Sequence, residues 1–401
     1  ASSKICPHFE DMTKYQYIQT GRQEVGPLSG IKIIELAGIG PGPFCGMLLS
    51  DMGAEVIRVD RISKRKDRIN DVLTRGRKSI ALDLKSNDGK EVVLQLCESS
   101  DAIFEGFRPG VTERLGIGPD DCMARNERLV YGRMTGWGQE GPMAQAAGHD
   151  INYISLVGAL HAIGEKDQKP VPPLNLVGDF GGGALYLAFG MVCALLEAKS
   201  SGKGQVVDAA MVDGAASLMS MFFSMRASGA FKADRGTNLL DGGAHFYGTY
   251  ETSDRKYISL GSIEPQFYAL LLEKTGVDVE RFSDQMNPKK WEELREELEG
   301  VFKTKTRDEW CQIMEGSDVC FGPVLELGEV NNHPHNIYRK SFTELDGVLQ
   351  PAPAPRFSKS KTSIRNGSRI AGEDSVSILE AAGFNAQQIE GLIDKEVVSQ
   401  S

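Results

Sequence analysis

The sequence contains no Cys-x-x-Cys pair, and its seven cysteines, Cys6, Cys45, Cys97, Cys122, Cys193, Cys311 and Cys320, are scattered and odd in number. Such spacing supports neither a disulfide framework nor a zinc centre, so no metal site is expected. Most of the thiols read as small apolar groups of the interior in a reducing, intracellular setting. Net positive charge is also lacking: 45 Lys and Arg against 55 Asp and Glu give −10. That excludes a nucleic-acid binder relying on a globally basic surface. No uninterrupted apolar run reaches the roughly 20 residues a membrane span needs; stretches such as Ala184 to Leu196 are broken by Gly190 and flanked by charge. No membrane span is expected. Residues 1–26 lack the apolar core of a secretory signal and read as an extension. The end Ser399-Gln400-Ser401 does not match the peroxisomal tripeptide, so peroxisomal, mitochondrial and cytoplasmic placements stay open.

What is present is an alternation of short apolar runs with helical patterns. Ile31 to Ala37 reads as a strand, Gly38 to Gly42 as a turn, the segment through Met47 and Leu48 as a helix ending at Gly53, and Glu55 to Asp60 as a second strand. The pattern recurs in Ser79 to Leu84, Asp88 to Ser99 and Ala102 to Glu105, and Leu129 to Met134 extends it. Strand, helix, strand in series is the signature of an α/β domain with a Rossmann-like, mainly parallel sheet. The turn Gly38-Ile39-Gly40-Pro41-Gly42 lacks the GxGxxG spacing of a dinucleotide site; proline at the first helical turn explains it structurally.

Farther on, a helix is expected over Ala146 to Leu160, and Pro170, Pro172 and Pro173 force an extended crossing. A long helix is expected to open at Gly178-Asp179 and run to about Lys199, followed by a strand from Val206 to Met211. The Met- and Ala-rich stretch to Ala230 reads as core or subunit interface. From His245 the pattern changes to a hairpin, His245 to Thr252 with Lys256 to Ser262, followed by amphipathic helices at Pro265 to Lys274, Pro288 to Phe302 and Asp308 to Met314. The expected organisation is an extension (1–26), a large domain (27–210), a linker helix (211–240), a smaller α+β domain (241–325), and a return linker with the C-terminal part of the large domain (326–401).

Two features bear on chemistry. Between Arg58 and Lys78 the chain carries nine basic residues, among them Arg61, Lys64, Arg65, Lys66, Arg68, Arg75 and Arg77, against Asp60, Asp67 and Asp71. This run is either an anion site or a solvated loop. Removal of a proton beside a carbonyl needs a base, a group that stabilises the enolate oxygen and, for inversion, an acid on the opposite face. A helix start at Gly178-Asp179 would offer free N–H groups to an oxyanion beside a carboxylate, with Gly181 to Gly183 allowing close approach. His149, with an ordinary pKa near 6.5, suits proton transfer at neutral pH. Read alone, each is more often a helix cap or a structural histidine.

The segments ELAGIGPGPFCGMLLSDMGAEVIRVDR, EGFRPGVTERLG, GRMTGWGQEGP, AGHDINYISLVG, PPLNLVGDFGGG and SGKGQVVDAAMVDG carry a resemblance over about Pro27 to Ser358. The chain resembles the family III CoA-transferases, and most closely their α-methylacyl-CoA racemase branch. The resemblance implies a catalytic pair of His149 and Asp179 that exchanges the α-proton of a 2-methylacyl-CoA, with Glu264 from a partner subunit supporting the histidine. It implies CoA contacts at Ile39, Arg61, Lys85, Arg108 and Arg114, with Tyr153 a further candidate. It also implies an interlocked homodimer, and no cofactor beyond the CoA that arrives with the substrate. In the transferase branch the aspartate acts alone as a nucleophile, through an acyl anhydride and an enzyme-CoA thioester, so Asp179 would serve there too. A non-catalytic CoA-binding protein would need the anion site without the acid/base pair.

Overall fold

The computed structural model describes residues 26–63 and 71–401. The extension up to residue 25, together with Lys64, Arg65, Lys66, Arg68 and Cys6, lies outside them.

The first half builds one sheet. Strand β1 (Lys32–Leu36) leads through the Gly/Pro turn into α1 (Pro41–Asp51), whose first position is proline, and then into β2 (Glu55–Arg61). β3 (Lys78–Leu82), α2 (Asn87–Glu98), β4 (Ala102–Glu105), α3 (Val111–Leu115), α4 (Pro119–Arg125) and β5 (Val130–Thr135) follow. Their apolar runs are buried almost end to end because helices cover both faces of a parallel sheet. The expected helix over Ala146 to Leu160 is shorter and divided: α5 (Asp150–Leu156) and α6 (Ala159–Ala162) are separated at Gly158, which takes φ 81°, and residues 146–149 form the loop before α5.

Next comes a helix from Leu176 to Ser201, of which Leu176–Ala184 is a π-turn segment and Leu185–Ser201 (α7) is regular. It runs through Gly190, and by length and composition alone, with a mean hydropathy of 1.6 over an 18-residue stretch, it is long and apolar enough to cross a membrane. Gly190 does not break it because its missing side chain is what lets the helix lie on the sheet: a Cβ there would stand 2.8 Å from Val207. Leu187, Met191, Ala194 and Leu195 bury one face against the sheet. β6 (Val206–Ala210), α8 (Met211–Leu218) and α9 (Ser220–Ala227) complete this half.

A second unit is made of β7 (Tyr247–Glu251), β8 (Tyr257–Gly261), α10 (Pro265–Thr275), α11 (Trp291–Phe302), α12 (Arg307–Met314) and β9 (Phe321–Val324). Its three antiparallel strands pack on the helices over an aromatic core of Phe246, Tyr250, Phe302 and Trp310. The chain then returns through α13 (Pro334–Arg339) and a hairpin, β10 (Phe342–Leu345) with β11 (Val348–Pro351). α14 (Ser375–Ala381), α15 (Ala386–Asp394) and β12 (Val398–Ser399) close the molecule, β12 pairing antiparallel with the edge of β3.

The large sheet runs β12-β3-β2-β1-β4-β5-β6, and all pairs except β12/β3 are parallel. Strand order therefore reverses between β1 and β4, and a crevice opens beyond the C-terminal ends of the strands at such a point.

Of the basic run, the described members other than Arg61 are paired with carboxylates of the chain. Arg77 is fully buried, with Nε 2.9 Å from Glu35 Oε2 and its other nitrogens on the carbonyls of Pro43, Leu73 and Arg75. Arg75 pairs with Asp51 at 2.6 Å, Arg58 with Asp60 at 2.8 Å, and Lys78 with Glu55 at the surface. These charges hold α1 and β2 to the segment 71–78; only Arg61, of the described arginines in the run, is exposed. The cysteines also divide: Cys45, Cys97 and Cys122 are buried, whereas Cys193 and Cys320 are exposed and Cys311 is partly so.

Candidate active site

A cavity of 540 Å³ lies at the strand-order reversal. It is lined by Leu36, Phe104 and Met134, at the C-terminal ends of β1, β4 and β5, and by Ile39, Arg108, His149, Tyr153, Asp179 and Met211 among others. The fold thus brings His149 and Asp179, separated by 30 positions in the chain, to one opening.

His149 is the residue immediately before α5, held in extended backbone at φ −134° and ψ 174°. The loop before it is braced by Tyr153, whose hydroxyl donates to the Gly148 carbonyl at 2.5 Å and whose ring meets Trp137 edge-on at 4.8 Å. Tyr153 therefore lines the cavity while its hydroxyl is committed to this loop.

Asp179 lies within the π-turn segment, three residues past its start at Leu176, rather than at the helix N-terminus expected for it. Its own N–H donates to Asp150 Oδ2 at 2.7 Å, and the N–H of Phe180 goes to the Asn175 carbonyl. Those two donors are engaged within the chain, which removes them from the oxyanion role expected of the Gly178-Asp179 start. The approach of Asp150 requires glycine at 178, where a Cβ would sit 2.5 Å from Asp150 Oδ2. Burial pushes the Asp179 carboxyl above the ordinary aspartate range, against a hydrogen bond from Asn175; the Asp150 carboxylate raises it further and His149 lowers it. An aspartate moved toward neutrality and coupled to an imidazole is suited to giving as well as taking a proton. Gly40, at φ 66°, stands where any side chain would press within 3.1 Å of Asp179 Oδ2.

Asp150 is the residue that the sequence reading missed. Its signal was adjacency to His149, but a carboxylate at the start of a helix reads as a dipole partner of that helix. That it bonds a backbone 29 positions away is visible only in three dimensions.

Of the other expected residues, Ile39 and Arg108 line the cavity, whereas Arg61, Lys85 and Arg114 are exposed outside its wall. Glu264 stands at the residue before α10 in the smaller unit without a side-chain capping bond, is exposed, and is not part of the wall. Among the described residues there is no cluster of three or more His, Cys, Asp or Glu placed to hold a metal ion.

Comparison with known proteins bears on the family. The model of CoA-transferase family III matches residues 28–375. An α-methylacyl-CoA racemase of Mus musculus is 44% identical over 374 residues, covering 92% of this chain and 97% of its own, and that of Homo sapiens is 43% identical over the same length. A succinyl-CoA:glutarate CoA-transferase of Homo sapiens is 27% identical over 95% of this chain and 92% of its own. Among solved structures, a CAIB/BAIF family protein from Brucella suis superimposes with a TM-score of 0.77 at 25% identity, covering 89% of this chain and all of that one. With a family model spanning most of the sequence and relatives above 40% identity along nearly its whole length, the chain belongs to CoA-transferase family III.

Proposed function

We propose that this chain racemises 2-methylacyl-CoA thioesters at the α-carbon by two-base proton exchange between His149 and Asp179. The observation that carries the reading is the presence of both groups in the wall of one 540 Å³ cavity. One takes the α-proton, the thioester becomes an enolate, and the other returns a proton on the opposite face. A carboxyl raised by burial is better matched to a neutral working pH than an ordinary aspartate. The identity of 43–44% to the two α-methylacyl-CoA racemases supports this chemistry over acyl transfer.

The thioester's CoA would run from Ile39 and Arg108 at the cavity toward Arg61, Lys85 and Arg114, guanidinium and ammonium groups suited to its phosphates. The proton exchange itself uses side chains, and CoA enters as part of the substrate.

The working form is a homodimer. Leu185, Phe189, Val192 and Leu196 repeat at helical spacing along one face of α7 and are 50%, 70%, 38% and 71% exposed, with Met221 and Phe223 of α9 adding to the exposed apolar surface. Continuous apolar surface of this kind marks a subunit contact. A second copy would also supply Glu264 to the histidine, a role that its own cavity wall leaves open.

The test is incubation of a single-epimer 2-methylacyl-CoA in deuterated water, following configuration and label together. Racemisation with deuterium at the α-carbon is expected, and His149→Ala abolishes it. Label uptake with full retention of configuration overturns the two-base reading. CoA transfer between two carboxylic acids at undiminished rate in His149→Ala establishes the transferase chemistry through Asp179 instead.

A further inference from the structure

We propose that Glu105 and Arg133 form a clasp that positions Arg108 and Arg114 for the CoA moiety, acting on substrate affinity without touching the reacting carbon. The inference rests on the reading above that these two arginines meet CoA.

Glu105 is the last residue of β4 and is 1% exposed, yet the chain beyond it, Gly106 to Pro109, forms the cavity wall. Its carboxylate folds back on that loop: Oε2 accepts the N–H of Phe107 at 2.6 Å. Its other oxygen accepts from Nε of Arg133 at 3.1 Å, on the neighbouring strand β5, where the two residues are register partners. The same guanidinium reaches the next element, Nη1 donating to Glu113 Oε1 at 2.8 Å on α3. The second Glu113 oxygen accepts from the buried Thr112 hydroxyl at 3.2 Å.

The Arg133 guanidinium and the Glu105 carboxylate together thus join a strand end, a loop and a helix. Arg108 is on that loop and Arg114 is on that helix, both exposed. The two elements meet at Gly110, where a Cβ would stand 3.1 Å from the Arg114 guanidinium. Long cationic side chains lose rotational freedom when they grip an anion, and a fixed backbone beneath them reduces that cost.

The clasp is built for geometry more than for stability. Arg133 is 7% exposed and its Nη2 is buried without a partner, an arrangement that a purely stabilising pair would avoid. Apolar residues of similar volume commonly hold such elements together as firmly as a buried ion pair, but they do not fix direction. A fork of fixed shape does, and lysine cannot reproduce it.

The experiment uses the full chain and two substrates: a 2-methylacyl-CoA, and the same acyl group on N-acetylcysteamine, which has the thioester but neither nucleotide nor phosphates. For Arg133→Lys and Glu105→Gln, KM for the CoA thioester is expected to rise about tenfold, as for loss of one charge-assisted hydrogen bond at the grip, with kcat within about twofold. Turnover of the N-acetylcysteamine thioester is expected to stay at the level of the unsubstituted protein. Equal losses on both substrates, or an unchanged KM for the CoA thioester, overturn the clasp. Arg108→Ala and Arg114→Ala separate the two levels of the argument: if neither raises that KM, the CoA-grip reading fails, and if they raise it while Arg133→Lys does not, the clasp alone fails. Should Arg133→Lys not fold, the Glu105→Gln measurement decides by the same criteria.

Discussion

Replacement of Asp150 tests whether its bond to the backbone of Asp179 holds in place the carboxylate proposed to exchange the proton. Asp150 is 6% exposed, its Oδ2 lies 2.7 Å from the Asp179 nitrogen, and Gly178 leaves room for nothing else at that point. In Asp150→Ala the N–H of Asp179 loses a charged acceptor in a half-buried site, a loss of about 1.5–3 kcal/mol. If that loss falls on the transition state, kcat drops by roughly 10- to 150-fold. Asp150→Asn keeps an acceptor for the N–H and removes only the charge. Because the Asp150 carboxylate raises the Asp179 carboxyl, its neutralisation lets that pKa fall. In the direction in which Asp179 takes the proton, it must be ionised, so the acid limb of kcat/KM moves to lower pH. The assay is deuterium incorporation at the α-carbon of each epimer between pH 5 and 9, with thermal unfolding as a control on folding. An Asp150→Ala protein within threefold of the unsubstituted rate, or an Asp150→Asn acid limb displaced upward, refutes the reasoning.

Three further outcomes are expected. Arg77→Met strands the fully buried Glu35 carboxylate and should cost about 3–5 kcal/mol, read as a shift in the urea midpoint; Glu35→Gln in the same chain should recover part of it by removing the stranded charge, and a loss below about 1 kcal/mol contradicts the pairing. His245 is buried in the smaller unit, bonded to the Tyr268 hydroxyl at 2.7 Å, with burial lowering its pKa to about 4. The unfolded chain then binds the proton more tightly, so stability is intact above pH 6.5 and falls by about 3 kcal/mol as pH drops from 6.5 through 4; His245→Gln should flatten that fall in fluorescence of Trp291 and Trp310, which share its core. Phe189→Asp on the exposed face of α7 should shift the protein to monomers in sedimentation, with racemisation lost alongside; a variant that stays dimeric removes that face from the interface.

The parallel sheet was legible because its strands are buried on both faces, so their apolar runs stand out without any alternation to decode. Ala102–Glu105 is bounded as read, and α1 begins at its proline. The helix around Asp179 was less so. Glycines 178, 181, 182 and 183 mark a chain without local preference, and the π-turn from Leu176 arises from the backbone's approach to Asp150 and to α8, where a Cβ on Gly182 would stand 2.6 Å from the Ala215 nitrogen. Strand β12 was not legible, because it has two residues and gains its order from pairing with β3.

By itself the sequence determined the class of fold, which depends on local periodicity, and the motifs that carry the family, whose resemblance in turn implied the pair His149 and Asp179. Tertiary structure alone decided that Arg58, Arg75 and Arg77 turn inward to carboxylates, that Asp150 grips Asp179, and that Arg133 ties together the elements bearing Arg108 and Arg114. A charge in a sequence has no partner until folding brings one within about 3 Å, and whether it faces water, a ligand or a buried carboxylate depends on residues tens or hundreds of positions away.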